Sequence, residues 1–154
     1  MSAFHLAQVN VGRLLAPFDD PRIAEFRDNL ERINALAEAQ PGFVWRLTDE
    51  SGAATNTRAF DDERILINAS VWESADHLAA FVYRTAHRDI FRRGGEWFEK
   101  KTQAVVALWW VAAGHTPSPA ECVERLEHLR AHGPTPRAFD LKTRFPAPQP
   151  ETVS

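Results

Sequence analysis

The chain has 154 residues, 44% of them hydrophobic, enough to build one ordinary domain with a real core and too little to suggest two. With 18 basic against 21 acidic side chains and a formal net charge of -3, it has no global attraction for nucleic acid or for an anionic membrane surface. One cysteine rules out an internal disulfide and fits a reducing compartment, so the expected location is the cytoplasm.

The N-terminus, MSAFHLAQVNVG, lacks the basic start and apolar run of a secretion signal, and no later segment reaches membrane-spanning apolar length. Phe4 to Gly12 is rich in β-branched and aromatic residues and stops at glycine, which predicts a first strand. Asp20 is placed to cap a helix whose first turn holds Pro21. Ile23, Phe26, Leu30, Ile33 and Ala37 recur at helical spacing to about Gln40, where Pro41 and Gly42 end the run. Two strands follow, Phe43 to Leu47 and Arg64 to Trp72, separated by a long polar connection.

Ser74 can cap a second helix beginning ADHLAAFV. A straight helix through Arg92 would bury Asp89 in its apolar stripe, at a high cost for an unpaired carboxylate, so a break is predicted near Thr85 to His87. Ala104 to Gly114 reads as a fourth strand, apolar on both faces. Ser118, Pro119 and Gly133 bracket a third helix. AFDLKTRF is expected to return as a short fifth strand. Residues 1–146 then form a single domain, and 147–154 a disordered tail.

The order β-α-β-β-α-β is the split βαβ arrangement, so the predicted class is α+β, a ferredoxin-like sheet with helices on one face. The other face should be polar, yet neither face of the first strand is cleanly polar and the fourth is apolar in both registers. A symmetric partner is the economical cover, giving a homodimer through the sheet.

GFVWRL, SVWES, FVYRTAHRDIFRR, EWFE, LWWVAAGHTPS and ERLEHLRAHGPTP resemble a bacterial family of uncharacterised proteins in the dimeric α/β-barrel superfamily, from about Phe4 to Phe145. That superfamily includes cofactor-independent quinone-forming monooxygenases of antibiotic pathways, haem-degrading enzymes, muconolactone isomerases and polyketide cyclases. The resemblance implies a dimeric barrel and a pocket between sheet and helices. It leaves the reaction open.

The predicted break frees His87 from a regular helix surface, where it can serve as a general acid or base, or as an axial haem ligand. Capping of the junction explains it equally. Arg84, Arg88 and Arg92 share helical spacing and suit an anionic group, although a solvated stripe balanced by Asp89, Glu96 and Glu99 is the plainer account. Among five tryptophans, Trp72 and Trp109 are candidates to wall a cavity for a planar ligand, or simply core anchors. Trp109 and its neighbour Trp110 must face opposite sides of their strand.

Polar residues on apolar faces are sharper: Asn34 beside the stripe of the first helix, and Gln8, Asn10, Asn68 and Ser70 within strands. Each needs a partner, a water or a ligand, and Asn34 and Asn68 are candidates to orient substrate oxygens. His128 and His132 have zinc-compatible spacing, but no third ligand is evident and no metal is expected. No phosphate loop, nucleophile elbow or CxxC is present. The expectation is therefore a monooxygenase-like enzyme acting on a planar, oxygen-bearing small molecule. It needs no cofactor in that reading; a non-catalytic binding or structural dimer and a haem-binding protein are the alternatives.

Overall fold

Period-2 alternation splits β1 (Phe4–Arg13) between two faces, with Leu6, Gln8 and Asn10 on one and Ala7, Val9 and Val11 on the other. The computed structural model containing it describes residues 3–17, 19–47, 64–84, 94–100 and 104–148. The expected break at Thr85 to His87, the side chains of Arg84, His87 and Arg88, and residues 149–154 of the expected tail lie outside the described residues.

β2 (Phe43–Arg46), β3 (Ile65–Trp72) and β4 (Val106–Ala112) join β1 in one sheet of order β2-β3-β1-β4, every neighbouring pair antiparallel. β1 and β2 are thus parallel with β3 between them, and β3 and β4 are parallel with β1 between them. This interleaving of two βαβ units is the ferredoxin-like fold.

α1 (Ala24–Glu38) follows a single 3-10 turn at Pro21–Ile23, where the Asp20 carboxylate accepts from the Arg22 amide at 2.8 Å. Hydrogen bonds from Arg22 hold the Asp20 carboxyl below its ordinary range. α2 (Ala75–Arg84) starts after Ser74, whose hydroxyl accepts from the His77 amide and meets His77 Nδ1 at 2.7 Å. Ile33, Leu36 and Ala37 of α1 and Leu78 and Phe81 of α2 pack on Leu6, Trp72 and Leu108. These are the two helices of the split βαβ units, and they share one face as expected.

The third helix goes elsewhere. α3 (Pro119–His132) is capped by Ser118, which accepts from the Glu121 amide at 3.1 Å, and it ends at Gly133. Its Cys122, Leu126 and Leu129 pack with Ala7, Val9, Ala69 and Trp109 on the opposite face. Cover that the apolar pattern assigns to a second copy is supplied there by the same chain.

The expected fifth strand reduces to one pair, Phe139 with Leu108, joined by backbone bonds of 2.8 Å in each direction. The reason is local: Asp140 Oδ1 accepts from the amides of Lys142 and Thr143 at 2.9 and 2.8 Å, and this turn curls the chain away from the ladder. β1 also runs past its expected glycine stop by one residue, since Arg13 pairs with Ile65. Among the described residues no helix is long and apolar enough to cross a membrane.

Candidate functional site

The face beneath α1 and α2 is not uniformly apolar. At one end lies the cluster of Leu6, Trp72, Leu108 and Phe81; at the other, Leu14, Ile23 and Trp97 pack with Phe26, Leu66 and Phe98. Between them the register places two polar rows, Gln8 opposite Ser70 and Asn10 opposite Asn68.

The rows are one hydrogen-bonded network. Gln8 Nε2 donates to Ser70 Oγ at 2.8 Å and Asn68 Oδ1 at 3.0 Å, and Asn10 Nδ2 donates to Gln8 Oε1 at 3.1 Å and Asn68 Oδ1 at 3.2 Å. Trp72 Nε1 donates to Ser70 Oγ at 2.8 Å. Gln8 and Ser70 are 5% and 7% exposed, while Asn10 and Asn68 are half-buried. The band therefore opens toward the Asn10 and Asn68 row.

Its inventory is rich in neutral donors. Asn68 Oδ1 takes two donors, but among the described residues nothing accepts from Asn68 Nδ2. Ser70 Oγ likewise receives two donors, leaving its own hydrogen to give. Asn34 is buried at 8% exposure, one turn before Ala37 on the side of α1 that meets the sheet, and no described side chain bonds it. Among the described residues only His5 Nδ1 and Arg125 Nε are buried without a hydrogen-bond partner, so the free amide hydrogens of Asn34 and Asn68 reach solvent, where a carbonyl or enolate oxygen suits them.

Aromatic walls bound the band. Trp72 is stacked on Phe81 at 5.3 Å and meets the edge of Phe43 at 5.5 Å. At the other end Phe98 lies across Gly12, where a Cβ would fall 2.6 Å from the ring, and Phe26 meets Phe98 edge-on at 5.1 Å. The 97–99 segment is pinned there by Leu15 N to Trp97 O and Glu99 N to Arg13 O, both 2.8 Å.

Of the expected site residues, Asn68 and Trp72 are thus linked through Gln8 and Ser70, and Asn34 is buried on the α1 side of the same face. Trp109 is not with them. Strand alternation puts it on the opposite face, fully buried, with Nε1 donating to Glu121 Oε2 at 2.9 Å. Glu121 Oε1 meets His115 Nε2 at 2.7 Å, so this carboxylate joins the β4 end to α3. Cys122 beside it is no nucleophile: burial, and then the Glu121 charge, push its thiol up to about 12. Among the described residues no three potential ligands gather to hold a metal. His128 and His132 lie ring to ring at 4.6 Å, and partial desolvation with the neighbouring His132 holds His128 below the ordinary histidine value.

A family model described as a domain of unknown function, DUF3291, matches residues 5–154. The chain belongs to the DUF3291 family. This DUF3291 protein is similar in structure to a protein of unknown function from Nitrosomonas europaea, with 12% identity, TM-score 0.48, and coverage of 77% of this chain and 97% of that one. It is also similar to SnoaB, a cofactor-independent oxygenase from Streptomyces nogalater, with 18% identity, TM-score 0.47, and coverage of 74% and 97%. A protein from Pseudomonas aeruginosa aligns at 15% identity and TM-score 0.47, covering 75% and 98%. No curated protein matches the chain.

Proposed function

We propose that this DUF3291 chain binds a planar, oxygen-bearing organic molecule between the sheet and α1 and α2, and oxidises it as a monooxygenase that uses the substrate's own enolate. The observation that carries the reading is the donor-rich amide band of Gln8, Asn10, Asn68 and Ser70 set between aromatic walls. Ordinary core packing would place apolar side chains on these rows; here the amides bond one another instead, and the Asn68 amide hydrogens left over on the more exposed row are the donors a ligand oxygen meets. Asn68 and Asn34 orient the substrate oxygens, Trp72 holds Ser70, and His87 takes the proton whose loss forms the enolate. Arg84 or Arg88 steadies the anionic form.

The balanced step for an anthrone consumes one O2. The ring methylene loses both hydrogens, one oxygen atom becomes the new carbonyl, and the other leaves with those hydrogens as water. The test is oxygen uptake and quinone formation from dithranol, with autoxidation in buffer subtracted. Wild type should exceed buffer, and Asn68→Ala and His87→Ala should each lose on the order of 10²-fold in rate. Tight binding of the quinone product with no acceleration would instead favour the non-catalytic binding protein.

A further inference from the structure

The open row of the amide band and the ring of Phe98 are neighbours on one face of the sheet. Asn10 pairs with Asn68 and Gly12 with Leu66, so the two rows follow one another at roughly 7 Å along β1. Gly12 brings no side chain to its row. The edge of the Phe98 ring takes that place, lying where a Cβ would come 2.6 Å from Cδ1 and 2.8 Å from Cε1. A glycine inside a strand allows such a close approach, and no β1 side chain then stands between the Asn10 amide and the ring.

The ring is held from behind. Phe98 bridges Leu14, the backbone bonds of Trp97 and Glu99 to β1 flank that bridge, and the Arg13 and Glu99 side chains form an ion pair at the same end. Phe26 of α1 meets Phe98 edge-on and lies 5.6 Å from the ring of Trp97. Behind Phe98 the packing is closed, since Leu14 and Ile23 are fully buried and Trp97 is 2% exposed. In front it is not: Asn10, Gly12, Leu66, Asn68 and Phe98 are all half-buried, so solvent reaches the amide row and the ring together. These residues form a shelf with oxygen-seeking donors at one side and an aromatic ring at the other.

We propose that Phe98 is the ring-recognition residue of this shelf, taking an aromatic ring of the ligand against its own while the ligand oxygen accepts from Asn68 Nδ2. This rests on the small-molecule reading above. A row spacing of roughly 7 Å suits an oxygen carried on the ring that meets Phe98 or on the ring fused to it. Gly12 is then a positioning residue, acting through Phe98. The amides select oxygen and Phe98 selects the flat ring, so the favoured class is aromatic ketones and phenols over saturated ketones of the same size.

The test measures binding of danthron to wild type, Phe98→Leu, Phe98→Tyr and Gly12→Ala. Phe98→Leu keeps apolar bulk but loses the ring, and should weaken binding by about tenfold. Phe98→Tyr keeps the ring and should bind like wild type. Gly12→Ala pushes the ring off its row and should match Phe98→Leu. In protein carrying 13C-labelled phenylalanine rings, the Phe98 signal, assigned by its loss in Phe98→Leu, should move as danthron is added. Equal affinity of Phe98→Leu and wild type, or the same loss in Phe98→Tyr as in Phe98→Leu, would overturn the role of Phe98 while leaving the small-molecule reading intact. No binding of danthron to wild type would sink that reading and this one with it.

Discussion

Ser70 shows how much one hydroxyl carries: its oxygen accepts from both Gln8 and Trp72, so two buried donors depend on it. Ser70→Ala should cost about 1 to 3 kcal/mol, because Trp72 Nε1 loses its acceptor without solvent to replace it and Gln8 Nε2 is left with Asn68 Oδ1 alone. Urea denaturation checks this, and an unchanged midpoint would mean that the network is not the packed unit described. These residues were legible as anomalies. Polar side chains two apart on a strand share a face, so Gln8 with Asn10 and Asn68 with Ser70 stand out from sequence alone. Which tryptophan accompanies them was not legible, because β4 is apolar on both faces and alternation alone does not say which side meets which helix. The structure pairs Trp72 with the amides and sends Trp109 to Glu121.

At the scale of elements, the helices announced themselves through their ends. Asp20 with Pro21, and Ser118 with Pro119 and Gly133, mark boundaries that the structure keeps. The face chosen by α3 left no such mark, since it is decided by contacts between distant residues such as Leu126 and Val9. Gly42 does double duty at the joint between α1 and β2. Its φ is +83°, its carbonyl accepts from the Glu73 amide at 2.7 Å, and a Cβ there would fall 2.2 Å from His77 Cγ. Gly42→Ala should therefore destabilise the fold by more than about 1 kcal/mol, through both backbone strain and displacement of His77 from the α2 start. Thermal unfolding measures this; a neutral substitution would show that the α1 to β2 joint and the start of α2 are not docked as described.

For the whole molecule, the order of elements was enough to read the ferredoxin-like sheet, because two interleaved βαβ units leave few alternatives for strand order. The C-terminal segment was harder to read. AFDLKTRF has the composition of a strand, but the turn at Asp140 and the bond from Trp110 make it a strap across the β4 edge. The central claim is that a ligand binds on the α1 and α2 side of the sheet and not on the α3 side. The five tryptophans provide a direct measurement, through their indole N–H signals in 15N-labelled protein titrated with danthron. The Trp72 signal, assigned by its loss in Trp72→Phe, should shift because its acceptor Ser70 belongs to the amide band, while the Trp109 signal across the sheet stays in place. A shift of Trp109 with Trp72 unmoved would contradict the account.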